Sequence, residues 1–252
     1  MILLDSGALA IWNYEMRKVV SMKKSFILVC CMIIILTAAA YAQGLSFEQL
    51  AANVEQQLNG IFDMHAVVDL EVVQFGQVTF TTLDLKTSKE GRLTRLEMLA
   101  PDLVVGQIYL FDPEKEEVSI YMPMLGQILV QSLATASGQF GLSLDFADMD
   151  HLFSLGGIQG EIDEIIPTDQ GLNYRVKVTD LGEQVPLLGS AATNPRLAVQ
   201  YVWIDANYMP YRIEYYEGDV CLGKMVIREY ELNMGIPAEE LRNLPDVPIM
   251  KF

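Results

Sequence analysis

The chain has 252 residues, of which 33 are acidic and 17 basic, and its formal net charge is −16 at pH 7. A chain this acidic will not bind nucleic acid or anionic lipid headgroups through its bulk charge. Cys221 is the only cysteine beyond residue 42, which excludes an intramolecular disulfide in that part of the chain.

The first 42 residues have the pattern of a secretory signal peptide. Lys23 and Lys24 precede an apolar stretch, and Ala40 and Ala42 form an A-x-A cleavage site. An uncleaved membrane anchor is the alternative, although residues 25–41 are at the short limit for a span. We expect cleavage after Ala42 and a periplasmic location. Residues 1–42 would then be an N-terminal extension plus signal peptide, and residues 43–252 a single domain.

The mature chain opens with a predicted helix. Ser46 and Gln49 have capping-box spacing. Apolar residues then recur every three or four positions from Phe47 to Leu58, and Gly60 supplies a C-terminal stop. This spacing predicts one amphipathic helix of about three to four turns.

Runs of alternating apolar and polar residues, each closed by Gly, Asp or Pro, recur from His65 to Leu232. They predict about nine or ten antiparallel strands. The clearest pair flanks Asp112 and Pro113, where the proline presets the backbone of a turn. The expected fold is mainly β with helices (α+β), in which a single curved antiparallel sheet forms a half-open barrel capped by helices.

Two segments interrupt the alternation. Residues 124–133 are apolar without alternation, and residues 145–153 carry acids where the first turn of a short helix would lie. We predict that residues 124–133, which contain Gly126, form a movable lid over the sheet. An ordinary covering helix is the alternative.

Period-two alternation assigns faces to two of the predicted strands. Val68, Leu70 and Val72 alternate with acids, whereas Tyr174 and Val176 alternate with polar and basic residues. Successive side chains of a strand point to opposite faces of its sheet. We therefore expect both apolar sets to line one concave, helix-covered interior, and the charged sets to form a hydrated back.

The sequence contains no convergent catalytic or metal-binding cluster. His65 and His151 lack partners at ligand spacing, and the paired acids are typical of a solvated surface in so acidic a chain. No nucleophile elbow, zinc-protease motif, P-loop or dinucleotide fingerprint occurs. We therefore expect no enzymatic activity, no metal and no cofactor.

Several motifs, taken in their order along the chain, point to a family. Tyr121 and Pro123 close the central hairpin, Leu144-Asp-Phe-Ala-Asp148 follows a glycine-containing loop, and Trp203-Ile-Asp205 precedes the last strands. With these motifs the chain resembles the periplasmic outer-membrane lipoprotein-sorting, LolA-like carriers. The resemblance implies an apolar cavity for acyl chains, with an inner-membrane release complex and an outer-membrane receptor as partners. It also implies an inward arginine that helps to hold the lid, for which Arg92 and Arg95 are candidates.

A soluble carrier must offset the cost of holding an acyl chain in water, on the order of 12 kcal/mol for about 16 carbons. We expect a monomeric periplasmic carrier that binds acyl chains of lipoproteins or lipids in an apolar cavity and moves them toward the outer membrane. The alternative is an envelope sensor or protein-interaction module of the same fold that carries no lipid. The predicted lipid-binding residues are Val68, Leu70, Val72, Phe80, Leu96, Met98, Met122, Met124, Leu125, Ile128, Leu129, Tyr174 and Val176.

Overall fold

The structure, a computed structural model, describes residues 45–74, 76–136, 153–180 and 198–251. The predicted signal peptide lies outside these ranges, as does the helix predicted at residues 145–153 except for its last residue. From Ser46 onward the chain forms one compact unit. Within the described ranges, no helix is both long enough and apolar enough to span a membrane.

Twelve strands in the described ranges form one open sheet, so the predicted fold class is confirmed. Neighbouring strands are antiparallel except β12, which pairs with β6 in parallel. The spatial order is β12-β6-β5-β4-β3-β2-β1-β11-β10-β9-β8-β7. The strands are β1 (Asp63–Gln74), β2 (Gln77–Ser88), β3 (Leu93–Ala100), β4 (Ile108–Asp112), β5 (Glu117–Met122), β6 (Gln127–Ser132), β7 (Gln159–Thr168), β8 (Gly171–Asp180), β9 (Ala198–Ile204), β10 (Pro210–Glu217), β11 (Val220–Leu232) and β12 (Ile249–Lys251).

Three helices accompany the sheet: α1 (Phe47–Asn59), α2 (Leu133–Ala136) and α3 (Ala238–Arg242). The predicted capping box of α1 is confirmed, because Ser46 and Gln49 exchange side-chain and backbone hydrogen bonds. Its apolar stripe, formed by Leu50, Val54 and Leu58, is buried.

Helix α1 defines what we call the inner face of the sheet; the opposite face is the outer face. The ring of Phe47 lies so close to Gly160 in β7 that a Cβ there would meet its Cε2 at 3.0 Å. Gly160 pairs with Val178 in β8 and so shares its face. Glycine at this position therefore allows the helix to approach the strand closely.

The strand register confirms that the apolar sets of β1 and β8 share the inner face. Leu70 pairs with Met225 in β11, and Met225 pairs with Ile213 in β10. Ile213 then pairs with Val202 in β9, which pairs with Val176 in β8. Directly paired residues lie on the same side of a sheet, so this row runs unbroken from one set to the other.

The outer face is not hydrated throughout, because the C-terminal segment 233–251 covers part of it. Leu93 and Leu110 form a buried cluster with Leu241 of α3, and this cluster is completed by Ile236, Ala238 and Leu244. The guanidinium of Arg95 donates hydrogen bonds to the carbonyl oxygens of Leu241 and Asn243, at 3.4 and 2.8 Å. The segment is therefore held by both apolar and polar contacts.

The two arginines implied by the resemblance are not inward, and that prediction is wrong. Arg95 alternates with the buried inner residues Thr94 and Leu96, so it projects to the outer face and holds the C-terminal segment. Arg92 is an exposed residue in the turn between β2 and β3.

The lid prediction for residues 124–133 is also wrong. Residues 123–126 form a turn, and residues 127–132 are strand β6. Ile128 and Val130 are buried on the outer face beside the C-terminal segment, where the amide of Ile128 donates to the carbonyl of Pro248 at 2.9 Å. Leu129 points to the inner face opposite Ile120. A strand covered on both faces is apolar without alternation, which explains the misleading pattern.

We predict that Arg95→Ala weakens the attachment of the C-terminal segment. The substitution removes hydrogen bonds from a charged donor, and we expect a loss of about 2 kcal/mol in the free energy of unfolding. Urea denaturation measures this loss, and hydrogen exchange at the Ile128 amide reports the detachment directly. The control is Arg228→Ala, because Arg228 is an exposed partner of Asp69 and the loss of an exposed ion pair should leave the free energy of unfolding nearly unchanged. Equal effects of the two substitutions would contradict the prediction.

Candidate functional site

The inner face carries a continuous apolar surface. On the β1–β6 side, Leu85 pairs with Leu96, Leu96 with Tyr109, and Tyr109 with Ile120. Ile120 then pairs with Leu129 near the edge of the sheet. Together with the row from Leu70 to Val176, these pairs extend the surface over ten neighbouring strands, from β6 to β8.

Most of the predicted lipid-binding residues are brought together on this face. Those that the structure places there are Val68, Leu70, Val72, Leu96, Met98, Met122, Leu129, Tyr174 and Val176. Val72, Met98, Met122 and Leu129 are only half-buried. These four therefore leave apolar surface that a ligand can contact.

Four predicted residues lie elsewhere and are corrections. Phe80 pairs with Glu71 on the outer face, because its neighbours Thr79 and Thr81 take the inner positions of β2. Ile128 faces outward, because the inner position at that point of β6 belongs to Leu129. Met124 and Leu125 lie in the β5–β6 turn and are exposed.

Exposed apolar side chains concentrate at one end of the sheet. The β3–β4 loop and the β5–β6 turn both lie at this end. We define an apolar rim there by Leu99 near the end of β3, Leu103 and Val105 of the loop, and Met124 and Leu125 of the turn. Leu103 is 73% exposed and Met124 79% exposed. The turns at the opposite end, residues 89–92 and 113–116, carry mostly charged side chains. The two ends of the sheet therefore differ in polarity.

Glu55 tethers α1 to the segment that precedes β7. Its Oε1 accepts hydrogen bonds from Ser154 Oγ at 2.7 Å and from the backbone amides of Leu155 and Gly156, at 2.9 and 3.0 Å. Three residues further along the helix, the carbonyl of Leu58 accepts a hydrogen bond from Lys89 Nζ at 3.0 Å. No sequence pattern indicates Glu55, since one acid among many on a helix gives no signal of its own.

Two polar atoms on the inner face are buried without a hydrogen-bond partner among the described residues. They are Nε2 of Gln131 and the hydroxyl of Tyr215. Gln131 lies opposite Val118, toward the charged end of the sheet. Tyr215 lies opposite Gly223, close to the β10–β11 turn at the rim end. Sequence patterns could not reveal either, because the lack of a partner depends on the whole surroundings.

The outer face carries an open pocket of about 380 Å³ over β8, β9 and β10. Two of its charged residues form ion pairs: Arg175 contacts Asp163 and Glu164, and the buried carboxylate of Glu214 contacts Arg212. Arg212 also lies over the ring of Trp203, with its central carbon 4.5 Å from the ring centroid. The lining residues are Arg175, Val199, Tyr201, Trp203, Glu214, Tyr216, Gly218 and Asp219.

Two tyrosines make the free energy of unfolding depend on pH in the alkaline range. The hydroxyl of Tyr216 donates to Glu214 at 2.7 Å, and this bond together with burial raises the pKa of Tyr216 to about 12. Burial and a 2.7 Å bond to Asp205 raise the pKa of Tyr230 to about 12 as well. Since an unfolded tyrosine has a pKa of about 10, both groups contribute stability that is complete below pH 10 and is lost as the pH rises toward about 12.

We therefore predict that the urea midpoint falls between about pH 10 and pH 12. The double variant Tyr216→Phe, Tyr230→Phe should show a shallower fall over the same window. Near-ultraviolet titration of phenolate absorbance measures the two tyrosines directly. A wild-type midpoint that stays level across this window would contradict the prediction.

Metal-binding geometry is absent from the part of the chain that the structure describes, where no group of three or more His, Cys, Asp or Glu could hold an ion. His65 Nε2 lies 2.6 Å from Asp84 and its Nδ1 lies 3.7 Å from Glu231. These contacts account for both ring nitrogens of this histidine.

No family model matches the sequence, and no curated protein matches it. Solved structures do match. An uncharacterized conserved protein from Thermus thermophilus is 14% identical with a TM-score of 0.52, over 81% of this chain and 98% of that one. A putative outer membrane lipoprotein-sorting protein domain from Vibrio parahaemolyticus is 14% identical (TM-score 0.42; 77% and 94% covered). The lipoprotein LppX from Mycobacterium tuberculosis is 16% identical (TM-score 0.47; 76% and 99% covered).

At these identities the likeness concerns the fold. The Thermus protein shares the fold over most of both chains.

Proposed function

We propose that the protein is a periplasmic carrier that holds acyl chains of lipoproteins or lipids against the inner face and moves them toward the outer membrane. The observation that carries the proposal is the width of the apolar surface relative to its cover. The surface extends over ten strands, or about 45 Å at a spacing of about 4.8 Å. Helix α1, the longest in the described ranges, is only about 10 Å across. The residues of the row are themselves buried in the ligand-free protein, so a ligand first contacts the half-buried Val72, Met98, Met122 and Leu129. It reaches the rest of the surface only where the cover over the sheet opens.

The energetics favour such a ligand. Each methylene transferred from water to an apolar surface contributes about 0.8 kcal/mol. A chain of about 16 carbons thus needs an extended contact surface, which the row from Leu70 to Val176 supplies once the cover over it opens. The half-buried Val72, Met98, Met122 and Leu129 supply contacts closer to solvent. Methionine side chains adapt to ligands of different shape.

The apolar rim suggests where the ligand enters. Leu103 and Met124 are exposed at the end of the sheet where the β3–β4 and β5–β6 connections lie, next to Met122 on the inner face. An acyl chain that enters at this end moves from one apolar surface to the next without crossing the charged turns. We propose no catalytic step, and we expect the partners to be the acylated cargo and the membrane proteins that donate and receive it.

Extraction of the protein from its native envelope, followed by mass spectrometry of the bound lipids, tests the proposal. We expect acyl species at a defined ratio to protein. Their absence at every stage of purification would refute the carrier function. It would favour the alternative of an envelope sensor or interaction module, for which the outer-face pocket around Trp203 and Glu214 is the candidate contact surface.

A further inference from the structure

The hydroxyl of Tyr215 is a hydrogen-bond donor beside the apolar row of the inner face. Tyr215 is 1% exposed and has no hydrogen-bond partner for its hydroxyl among the described residues. A buried tyrosine hydroxyl is usually paired, and leaving one unpaired destabilises the protein. A phenylalanine would fill the same space without this cost. The hydroxyl therefore calls for a partner that the described residues of the ligand-free protein do not supply.

The position of Tyr215 relates this donor to the path of the ligand. Two residues before Tyr215 in β10, and farther from the rim end of the sheet, Ile213 pairs with Val202 and Met225. All three side chains are buried and apolar. Two residues after Tyr215, Glu217 ends β10 at the rim end of the sheet. The hydroxyl thus lies between the apolar row and the end of the sheet at which we propose that the ligand enters.

The immediate neighbours of Tyr215 include a second polar group. Gly223, which is opposite Tyr215 in β11, adds no side chain beside the ring, but the ring is covered in the ligand-free protein, so a ligand reaches the hydroxyl by displacing part of that cover. Gln200, opposite it in β9, adds a half-buried amide to the same face. Burial, reinforced by the nearby charge of Glu217, raises the pKa of Tyr215, so the hydroxyl stays protonated and can donate at neutral pH.

We propose that Tyr215 donates a hydrogen bond to the carbonyl oxygen of a fatty-acyl ester, whose hydrocarbon lies along the row from Met225 toward Val176. This inference rests on the proposed carrier function and narrows its ligand: the cargo is an acyl ester and not a bare hydrocarbon or an ether lipid. The carbonyl is the first polar group beyond the chain, and an ester oxygen accepts a hydrogen bond without donating one. An ester carbonyl therefore matches a site in which the polar group without a partner is a hydrogen-bond donor.

The test compares two lipids that differ only in this carbonyl, monopalmitoylglycerol and its hexadecyl ether analogue. Each lipid displaces a fluorescent fatty-acyl probe from the purified full-length mature chain, below the concentration at which the lipids form micelles. We expect the wild type to bind the ester about tenfold more tightly than the ether. The ester forms one hydrogen bond between uncharged groups and gives the unpaired hydroxyl its acceptor, which together account for a difference of this size.

Two variants assign the preference to Tyr215. Tyr215→Phe should bind both lipids with the affinity that the wild type has for the ether, and its urea midpoint should be equal to or higher than that of the wild type. Gln131→Leu is the matched control, because it removes the other orphan donor of the inner face, near the opposite end of the sheet. It should keep the tenfold ester preference.

The outcomes separate the two proposals. If neither lipid displaces the probe from the wild type, the carrier function itself fails. If the wild type binds both lipids equally, the carrier function stands and the role of Tyr215 is refuted. A preference that persists in Tyr215→Phe, or that disappears equally in Gln131→Leu, refutes it too. The wild-type comparison alone decides the ester preference, even where a variant folds poorly.

Discussion

Met122→Asp should reduce the affinity for a fluorescent acyl probe by at least about tenfold while the sheet stays folded. Met122 ends β5 on the inner face and is half-buried beside the apolar rim. A carboxylate there must lose water when hydrocarbon covers it, and the transfer of an unpaired charge is strongly unfavourable. In the ligand-free protein the same carboxylate can remain hydrated, since the position is not fully enclosed. Fluorescence titration measures the affinity, and circular dichroism verifies the strands.

Phe80→Asp is the control on the opposite face of the sheet. Phe80 is 64% exposed on the outer face of β2, so we expect the probe affinity to stay within about twofold of the wild type, as is usual for surface substitutions. Equal losses in both variants would show that the added charge acts on the sheet as a whole and not at the inner face. An unchanged affinity in Met122→Asp would place the ligand elsewhere.

The sidedness of the strands could be predicted from the sequence alone. In β1 and β8 one face is apolar and the other charged, so alternation fixed which residues share a side. The register then pairs Leu70 with Met225 and Val202 with Val176. This is expected when the strands of one sheet each have one apolar face, because those faces must lie on the same side. The N-terminal cap of α1 could also be predicted from the sequence, because it depends only on Ser46 and Gln49, which are three residues apart.

Strand β6 could not be predicted in the same way, because its burial depends on a distant segment. Strand β12, about 120 positions further along the chain, pairs with the edge of β6, and Ile128 and Val130 are buried on the outer face. Burial on that face removes the alternation that identifies a half-buried strand. The sequence near the C-terminus does not predict this pairing either. Pro245 and Pro248 interrupt any periodic pattern, and only three residues, Ile249–Lys251, pair as a strand.

Phe80 illustrates a second limit of pattern analysis. Val78 and Phe80 alternate with threonines in β2, and hydrophobicity alone assigns the aromatic residue to the interior. The register instead places Thr79 and Thr81 opposite Val72 and Leu70, on the inner face. A large exposed side chain near a sheet end is ordinary for a single residue, so polarity does not determine the face near the end of a strand.

Glu55→Ala should have the largest effect on access to the inner face. The substitution removes the one carboxylate oxygen that accepts from Ser154, Leu155 and Gly156. It removes the acceptor of the Leu155 amide, whereas the Gly156 amide keeps Ser154 Oγ at 3.0 Å. We expect the free energy of unfolding to fall by about 3 kcal/mol. The helix should also loosen from the segment before β7, since tertiary contacts rather than intrinsic propensity hold a helix of this length.

Loosening of α1 should speed ligand entry if the helix covers the binding surface. Stopped-flow mixing with the acyl probe should then show an association rate several-fold higher than that of the wild type, in step with faster hydrogen exchange in α1. Glu48→Ala is the control, because Glu48 lies in the first turn of the same helix and is exposed. Unchanged exchange in Glu55→Ala would mean that Leu50, Val54 and Leu58 suffice to hold the helix. If α1 loosens and the association rate stays constant, the helix covers the sheet without controlling entry, and the acyl chain must enter past the apolar rim alone.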